Sequence, residues 1–137
     1  MLELTGINIW AVAVVWLLYV VVGAFWYSPA GFTKQWTKET GIDIMKIPQK
    51  DATRAIVSVA LSALVQAVTL AVILNSLYVT TAMNGLVIGL VLWFGLTTAT
   101  TVGVTLYSQR SWKFIWLNSS YFLVVMSLGS IILASWQ

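Results

Sequence analysis

The stretch Gly23-Ala24-Phe25-Trp26-Tyr27-Ser28-Pro29-Ala30-Gly31-Phe32-Thr33-Lys34-Gln35-Trp36-Thr37-Lys38-Glu39-Thr40-Gly41 decides the fold of this chain. A long apolar run ends here in an aromatic pair, turns at Ser28-Pro29, and continues as a segment that carries lysines. Tryptophan and tyrosine concentrate where membrane helices meet water, and lysines are enriched in the loops on the cytoplasmic side. The stretch therefore predicts the point at which a membrane-spanning helix leaves the bilayer.

The composition also indicates an integral membrane protein of one domain. Of the 137 residues, 60% are hydrophobic and 8% are charged, whereas soluble domains carry about 25% charged residues. The chain contains no cysteine and no histidine, which excludes disulfides, thiolate nucleophiles and imidazole chemistry. We expect no catalytic residue, no cofactor and no metal site. Few basic residues and no separate basic domain argue against a nucleic-acid partner.

Outward from this stretch, four apolar runs are long enough to cross a bilayer, because about 20 helical residues span its ~30 Å core. They cover residues 7–27, 55–77, 85–106 and 114–136. Since backbone groups cannot be left unpaired in lipid, each run is predicted to be a helix. We expect an all-α fold over residues 1–137, an integral membrane four-helix bundle. The short turn after the second span favours antiparallel packing of spans two and three.

The loop between spans one and two is predicted to contain a short amphipathic helix over residues 31–40. Phe32 and Trp36 are four positions apart, so they share one helix face, and lysines lie on another side. This pattern is typical of a helix that lies along a membrane surface. Gly41 is expected to end that helix, and Pro48 to precede the second span, whose helix begins near residues 49–51.

The basic residues predict the orientation in the membrane. The positive-inside rule places loops rich in Lys and Arg in the cytoplasm. All the basic residues fall in two loops on one side of the bundle: Lys34, Lys38, Lys46, Lys50, Arg54, Arg110 and Lys113. We therefore expect an inner-membrane protein with both termini outside and both basic loops in the cytoplasm. Membrane lipids are expected partners, because basic loops attract anionic headgroups.

Two patterns predict close contacts between helices. Membrane helices associate through small residues, which allow close approach, and through polar side chains, which hydrogen-bond between helices. The second span has alanines on one side and, roughly opposite, a polar stripe of Ser58, Ser62, Gln66 and Thr69. The third span contains a GxxxG pattern at Gly85 and Gly89. We expect one face of the second span to pack within the protomer and the other against a neighbouring subunit, giving a homo-oligomer.

A polar layer is predicted near the middle of the membrane. An unpaired Gln66 amide would be costly there, so we expect it to bond to Thr97, Thr98 or the indole of Trp16 or Trp93. The layer is predicted to contain Trp16, Tyr19, Gln66, Trp93, Thr97 and Asn118. Two interpretations stay open: these groups hold helices together, or they line a ligand site or pathway. Asn118, nearer the cytoplasmic side, is expected to tie the inner helix ends together.

The opening stretch also carries a family resemblance. The residues that carry it are Asn8, Gly23, Trp26, Tyr27, Ser28, Pro29, Phe32, Trp36, Gly41, Trp93 and Gly95, followed by Leu106-Tyr107-Ser108-Gln109-Arg110-Ser111-Trp112-Lys113, Asn118, Tyr121, Gly129 and Trp136. In these positions the chain resembles a bacterial membrane family catalogued as domain of unknown function 1761. One departure is Ser111, where many relatives are expected to have proline. The resemblance implies a small four-span protein and no particular activity.

Three functional hypotheses follow from these patterns. We favour a non-enzymatic homo-oligomer that acts as a membrane-organising subunit or a small channel or carrier. The alternative is a module that binds a lipid or other apolar ligand within the bundle, at the predicted polar layer; the small-molecule ligand itself is unknown. A membrane enzyme at the inner headgroup layer ranks last, because its candidate residues have simpler anchoring roles: Asp43, Asp51, Tyr27 and Arg110.

Overall fold

The structure is a computed structural model that describes residues 1–136. Its α-helices in chain order are α1 (Ile9–Trp26), α2 (Thr33–Thr40), α3 (Gln49–Ser76), α4 (Ala82–Leu92), α5 (Ala99–Tyr107) and α6 (Trp112–Ser135). A π-helical segment (Trp93–Thr98) joins α4 to α5, and a 3-10 turn (Ile44–Lys46) precedes α3. Residues 1–136 contain no strand, so the predicted all-α fold is confirmed.

Four helices are long and apolar enough to cross a membrane: Ile9–Trp26, Gln49–Ser76, Ala82–Tyr107 and Trp112–Ser135. They correspond to the four predicted spans and form a four-helix bundle, which fits a multi-pass membrane protein. The third of them runs through α4, the π-helical segment and α5 without a break. The helix of the second span begins at Gln49, directly after Pro48, as the sequence predicts.

Side-chain caps fix where three of these helices begin. The Asn8 carboxamide oxygen accepts hydrogen bonds from the backbone N–H groups of Trp10 and Ala11 at the start of α1. The Thr81 hydroxyl caps α4, and the Ser111 hydroxyl caps α6. Each cap satisfies backbone donors that a helix start leaves unpaired. Serine at position 111 thus supplies a helix start where the resemblance had suggested a proline.

The bundle is organised around α6. Helices α1, α3 and α4 all pack against α6, and α1 also packs against α3. The fully buried side chains of this core include Val15 and Tyr19 of α1, Leu74 of α3 and Val125 of α6. The prediction that spans two and three pack as antiparallel neighbours is wrong, because α4 lies along α6 and does not pack along α3.

The GxxxG pattern explains this arrangement. A Cβ atom placed on Gly85 would lie 2.5 Å from the Ser130 carbonyl oxygen and 2.7 Å from the Ala134 Cβ. Only glycine lets α4 approach α6 this closely. Gly89 lies beside the Ser130 side chain in the same contact. The motif is therefore used between α4 and α6 of one protomer, so it no longer supports a contact between subunits.

Helix α3 contacts the bundle through only part of its length. Ala63, Ala67 and Ala71 are buried against the core, whereas residues 53–59 are exposed throughout. Ser62 is exposed as well. The first half of α3, here called the free half, therefore has few contacts with the other helices, apart from the hydrogen bond of the Trp16 indole to the Ala60 carbonyl oxygen. One cleft lies beside this half, and another lies beside the second half of α3.

Candidate functional site: the cleft beside Gln66

A compact turn connects α1 to α2. The Gly31 N–H donates to the Ser28 carbonyl oxygen at 2.9 Å, and the Phe32 N–H donates to the Trp26 carbonyl oxygen at 2.7 Å. A Cβ atom on Gly31 would collide with the carbonyl oxygens of Phe25 and Trp26. The turn therefore requires glycine at position 31. The sequence interpretation did not identify this residue, although a glycine two positions after Pro29 is a turn signal.

The motif of the opening stretch docks on the first half of α6. The Tyr27 hydroxyl donates to the Asn118 Oδ1 atom at 2.7 Å, and the Trp26 indole N–H donates to the Leu117 carbonyl oxygen at 3.2 Å. The Tyr121 hydroxyl donates to the Tyr19 carbonyl oxygen at 2.8 Å. These contacts join α1 to α6. Tyr121 was absent from the predicted site residues, although it shares a helix face with Asn118.

The remaining motif residues shape the turn and α2. A Cβ atom on Gly23 would lie 3.3 Å from the Tyr121 hydroxyl. The Ser28 hydroxyl donates to the Phe25 carbonyl oxygen at 2.7 Å, and Pro29 is exposed. The Phe32 ring lies 4.7 Å from the Trp26 ring, between centroids. Trp36 is half-buried on α2.

The six residues of the predicted polar layer do not come together. The Trp16 indole donates to the Ala60 carbonyl oxygen at 2.9 Å, and the Trp93 indole donates to the Ser119 carbonyl oxygen at 2.7 Å. Asn118 is engaged with Tyr27, as described above. Only Tyr19, Gln66 and Thr97 line a common cavity.

A π-helical turn sets the shape of the third span beside this cavity. In a π-helix the backbone bonds run from residue i to i+5, and here the Ala99 N–H donates to the Phe94 carbonyl oxygen. Trp93 and Thr98, five positions apart, both reach Ser119, and the two hydroxyl oxygens of Thr98 and Ser119 lie 2.5 Å apart. The sequence did not predict this irregularity.

The cavity, here called the Gln66 cleft, lies between α3 and the third span and has a volume of about 430 Å³. Aliphatic and aromatic side chains from α3, the third span and α6 form most of its wall. Its polar lining residues are Tyr19, Gln66, Thr69, Thr97, Thr100 and Thr101. The cleft thus combines an apolar wall with a few hydrogen-bonding groups, as ligand sites do.

Three polar side chains in the cleft have no hydrogen-bond partner among residues 1–136: the Tyr19 hydroxyl, the Gln66 amide and the Thr69 hydroxyl. Tyr19 is only 2% exposed. By contrast, the hydroxyls of Thr100 and Thr101 donate to carbonyl oxygens of their own helix, the latter to Thr97 at 2.6 Å. The unpaired groups therefore remain free for another molecule.

The expectation that Gln66 bonds within the protomer is wrong, because its expected partners are engaged elsewhere. The Thr97 hydroxyl contacts the Met126 sulfur at 3.4 Å. Thr98 pairs with Ser119, and both indole groups donate to backbone carbonyls. In addition, α3 does not pack along the third span, so no other side chain of that span reaches the Gln66 amide to form a hydrogen bond.

The acidic side chains lie outside the cleft. The Asp43 carboxylate caps the 3-10 turn by accepting from the Met45 N–H at 3.0 Å, and it lies 3.6 Å from the Lys46 ammonium. Residues 1–136 contain no group of three His, Cys, Asp or Glu that could hold a metal ion. The chemistry that the Gln66 cleft offers is therefore hydrogen bonding to a molecule in an apolar enclosure.

The fold and this cleft define a small bundle of four helices of membrane-spanning length, with an opening between the second and third. The chain belongs to the family described as protein of unknown function (DUF1761), whose model matches residues 10–134. This match confirms the family resemblance of the opening stretch. No curated protein and no solved structure matches the chain.

Proposed function

We propose that this is a non-enzymatic membrane protein that binds an amphipathic small molecule in the Gln66 cleft. The observation that carries the proposal is the Gln66 amide, which lines the cleft from the middle of α3 and has no hydrogen-bond partner within residues 1–136. A polar group left unpaired in hydrocarbon costs several kcal/mol. A ligand that pairs with this amide removes that cost.

The cleft lining indicates the chemistry of the ligand. Its volume of about 430 Å³ falls within the ~300–1,000 Å³ typical of small-molecule sites. The free donors and acceptors of Gln66, Thr69 and Tyr19 suit one hydroxyl, carbonyl or amide group. The apolar wall suits a hydrocarbon body. The lining residues Thr69, Leu96 and Thr100 are exposed, so such a molecule can enter the cleft from the surrounding lipid.

Photolabelling tests this proposal. A long-chain alcohol that carries a diazirine is incorporated into membranes containing the full-length protein, irradiated, and the labelled peptides are mapped by mass spectrometry. We expect label on the third span near Thr97, and at least a fivefold loss of that label in Gln66→Leu. Ser62→Leu is the matched control, because Ser62 lies one turn away on α3 but outside the cleft lining. Equal labelling of both variants contradicts the proposal.

A second candidate function is that of a homo-oligomeric membrane-organising subunit, or a small carrier or channel built from several copies. Ser58 and Ser62 on the free half of α3 are exposed and have no hydrogen-bond partner among the described residues. Hydroxyls and small residues on a membrane helix favour association with another helix. The free half of α3 therefore supports contact with a second copy.

Cysteine cross-linking tests the oligomer. The natural chain has no cysteine, so Ser58→Cys introduces a single thiol on the free half of α3. A residue near a twofold axis meets its own copy, so oxidation in native membranes is expected to give a disulfide-linked dimer. Val104→Cys is the control, because Val104 is 72% exposed on the third span. Monomers alone, or equal dimer from both variants, count against the oligomer.

We also propose that both termini lie outside an inner membrane and that the two basic loops lie in the cytoplasm. The distribution of Lys and Arg supports this orientation. A membrane-impermeant thiol reagent added to intact cells is expected to label Thr5→Cys and to spare Met45→Cys. The reverse pattern contradicts the orientation.

A further inference from the structure

A second cavity lies at the end of the bundle where α1 ends and α6 begins. It lies between α2 and the first turns of α6 and has a volume of about 640 Å³. The apolar part of its lining, here called the apolar floor, consists of Trp26, Phe32, Trp116 and Leu117. Lys38 and Lys113 also line the cavity. We call this cavity the basic groove. It shares no lining residue with the Gln66 cleft.

The basic groove is held by contacts between two loops that are distant in sequence. The Arg110 guanidinium donates to the Glu39 carbonyl oxygen at 2.7 Å, and the Ser111 hydroxyl donates to the Glu39 Oε2 atom at 2.5 Å. These bonds fix the end of α2 against the start of α6. Lys38, next to Glu39, and Lys113, near Ser111, are thereby brought to the same cavity.

The charge of this region favours an anion. The segments 34–54 and 110–113 contain all seven Lys and Arg of the chain, against three carboxylates, those of Glu39, Asp43 and Asp51. In the groove itself the two lysines face one carboxylate, Glu39, and one oxygen of that carboxylate already accepts from Ser111. Gln35 and Ser120 add neutral polar groups to the lining.

We propose that the basic groove binds an anionic phospholipid, with its phosphate group between Lys38 and Lys113 and the start of an acyl chain on the apolar floor. Lysine side chains near a membrane surface attract anionic headgroups, and tryptophan rings prefer the level of those headgroups. A free phosphate ion would use the lysines but leave the apolar floor exposed. The lipid covers both parts of the groove.

This proposal goes beyond ligand binding in the Gln66 cleft and does not depend on it. A lipid that bridges α2 and α6 also stabilises the docking of α2, because it binds only where both elements are in place. Neutralising the two lysines is expected to weaken binding of that lipid and to leave photolabelling near Thr97 unchanged. Failure of one proposal can therefore be told apart from failure of the other.

Native mass spectrometry of the full chain in detergent tests the proposal. The protein is titrated with dioleoylphosphatidylglycerol and, separately, with dioleoylphosphatidylcholine. We expect phosphatidylglycerol to bind at least tenfold more tightly. The double variant Lys38→Gln with Lys113→Gln is expected to bind phosphatidylglycerol about thirtyfold more weakly, because each lysine near an anionic headgroup contributes about 1 kcal/mol. The matched control is Lys34→Gln with Lys46→Gln, which removes the same charge outside the groove lining.

Each remaining outcome bears on the proposal. If the double variant Lys38→Arg with Lys113→Arg binds phosphatidylglycerol as tightly as the natural protein, the proposal is supported. That result shows that the glutamine variant lost affinity because it lost positive charge. Equal losses in the two double-glutamine variants overturn it, because they indicate general attraction to a basic surface. Equal binding of the two lipids overturns it too. Competition by glycerol phosphate at the lipid's own concentration shows that the apolar floor contributes nothing, and this also overturns it.

Discussion

The Tyr27 hydroxyl donates a 2.7 Å hydrogen bond to Oδ1 of Asn118, and this bond joins the end of α1 to the first half of α6. The Asn118 amide nitrogen in turn donates to the Phe114 carbonyl oxygen at 3.1 Å. The second bond fixes the orientation of the carboxamide, so its oxygen faces Tyr27. Two half-buried polar side chains thus satisfy each other where the opening stretch meets α6.

Replacing Tyr27 with phenylalanine tests this bond. The variant leaves the Asn118 oxygen unpaired, which is expected to lower the free energy of unfolding by about 1–3 kcal/mol. The measurement is reversible unfolding in detergent micelles, followed by tryptophan fluorescence. Tyr107→Phe is the control, because Tyr107 is 91% exposed and its side chain makes no hydrogen bond within residues 1–136. Equal stabilities of the two variants would show that the bond contributes nothing.

Alanine is predicted to change the stability of the protein in opposite directions at Gly85 and at Gly103. At Gly85 the new methyl group meets the Ser130 carbonyl oxygen at 2.5 Å, so Gly85→Ala is expected to destabilise by about 1–3 kcal/mol through overpacking. At Gly103 nothing lies within 4 Å, so Gly103→Ala is expected to stabilise by about 0.5–1 kcal/mol through helix propensity. Thermal unfolding of both variants in the same detergent measures the difference. A stabilising effect of Gly85→Ala contradicts the close contact between α4 and α6.

Gly31→Ala is predicted to disturb the turn between α1 and α2. The methyl group would collide with the carbonyl oxygens of Phe25 and Trp26, and the chain must open to relieve the clash. Hydrogen exchange at the Phe32 amide, which donates to the Trp26 carbonyl oxygen, is expected to accelerate at least tenfold. Ala30→Leu is the control, because Ala30 is exposed. Unchanged exchange in Gly31→Ala shows that the turn does not need glycine.

Gln66→Leu is predicted to leave the ligand-free protein as stable as the natural one or more stable. The amide has no partner to lose within residues 1–136, and leucine gains apolar contact with the cleft wall. Unfolding in delipidated detergent micelles measures the effect. Asn118→Leu is the comparison, because its side chain makes two hydrogen bonds and its loss is expected to destabilise. A loss of more than about 1 kcal/mol in Gln66→Leu would reveal a partner inside the protomer.

Local patterns made several features predictable. Apolar runs of spanning length predict the four helices, because backbone groups in an apolar setting pair within their own helix. Gly41 ends α2 with a positive φ of 72°, as expected of a glycine after a helix. The motif around Trp26 and Tyr27 indicated the family. These inferences depend on residues near one another in sequence.

The partner of each polar side chain was not predictable in the same way. The sequence indicated a need for a partner at Gln66 and close packing at Gly85, but several helices at similar depth could supply either. The close approach of α4 to α6 decides both, because it draws the third span away from α3 and leaves the Gln66 amide in a cleft. The π-helical turn then directs Trp93 and Thr98 to Ser119.

The sequence by itself determined the class of fold, the four helices of spanning length and the turn near Pro29. Each of these follows from hydrophobicity and backbone preference over a short stretch of chain. Only the tertiary structure decided that the GxxxG pattern serves a contact within the protomer and that Tyr19 and Gln66 share a cleft. It also decided that Lys38 of α2 and Lys113 of α6 line one cavity. The physical reason is that all helices in the bundle are apolar, so hydrophobicity cannot select neighbours, and steric fit between particular side chains does.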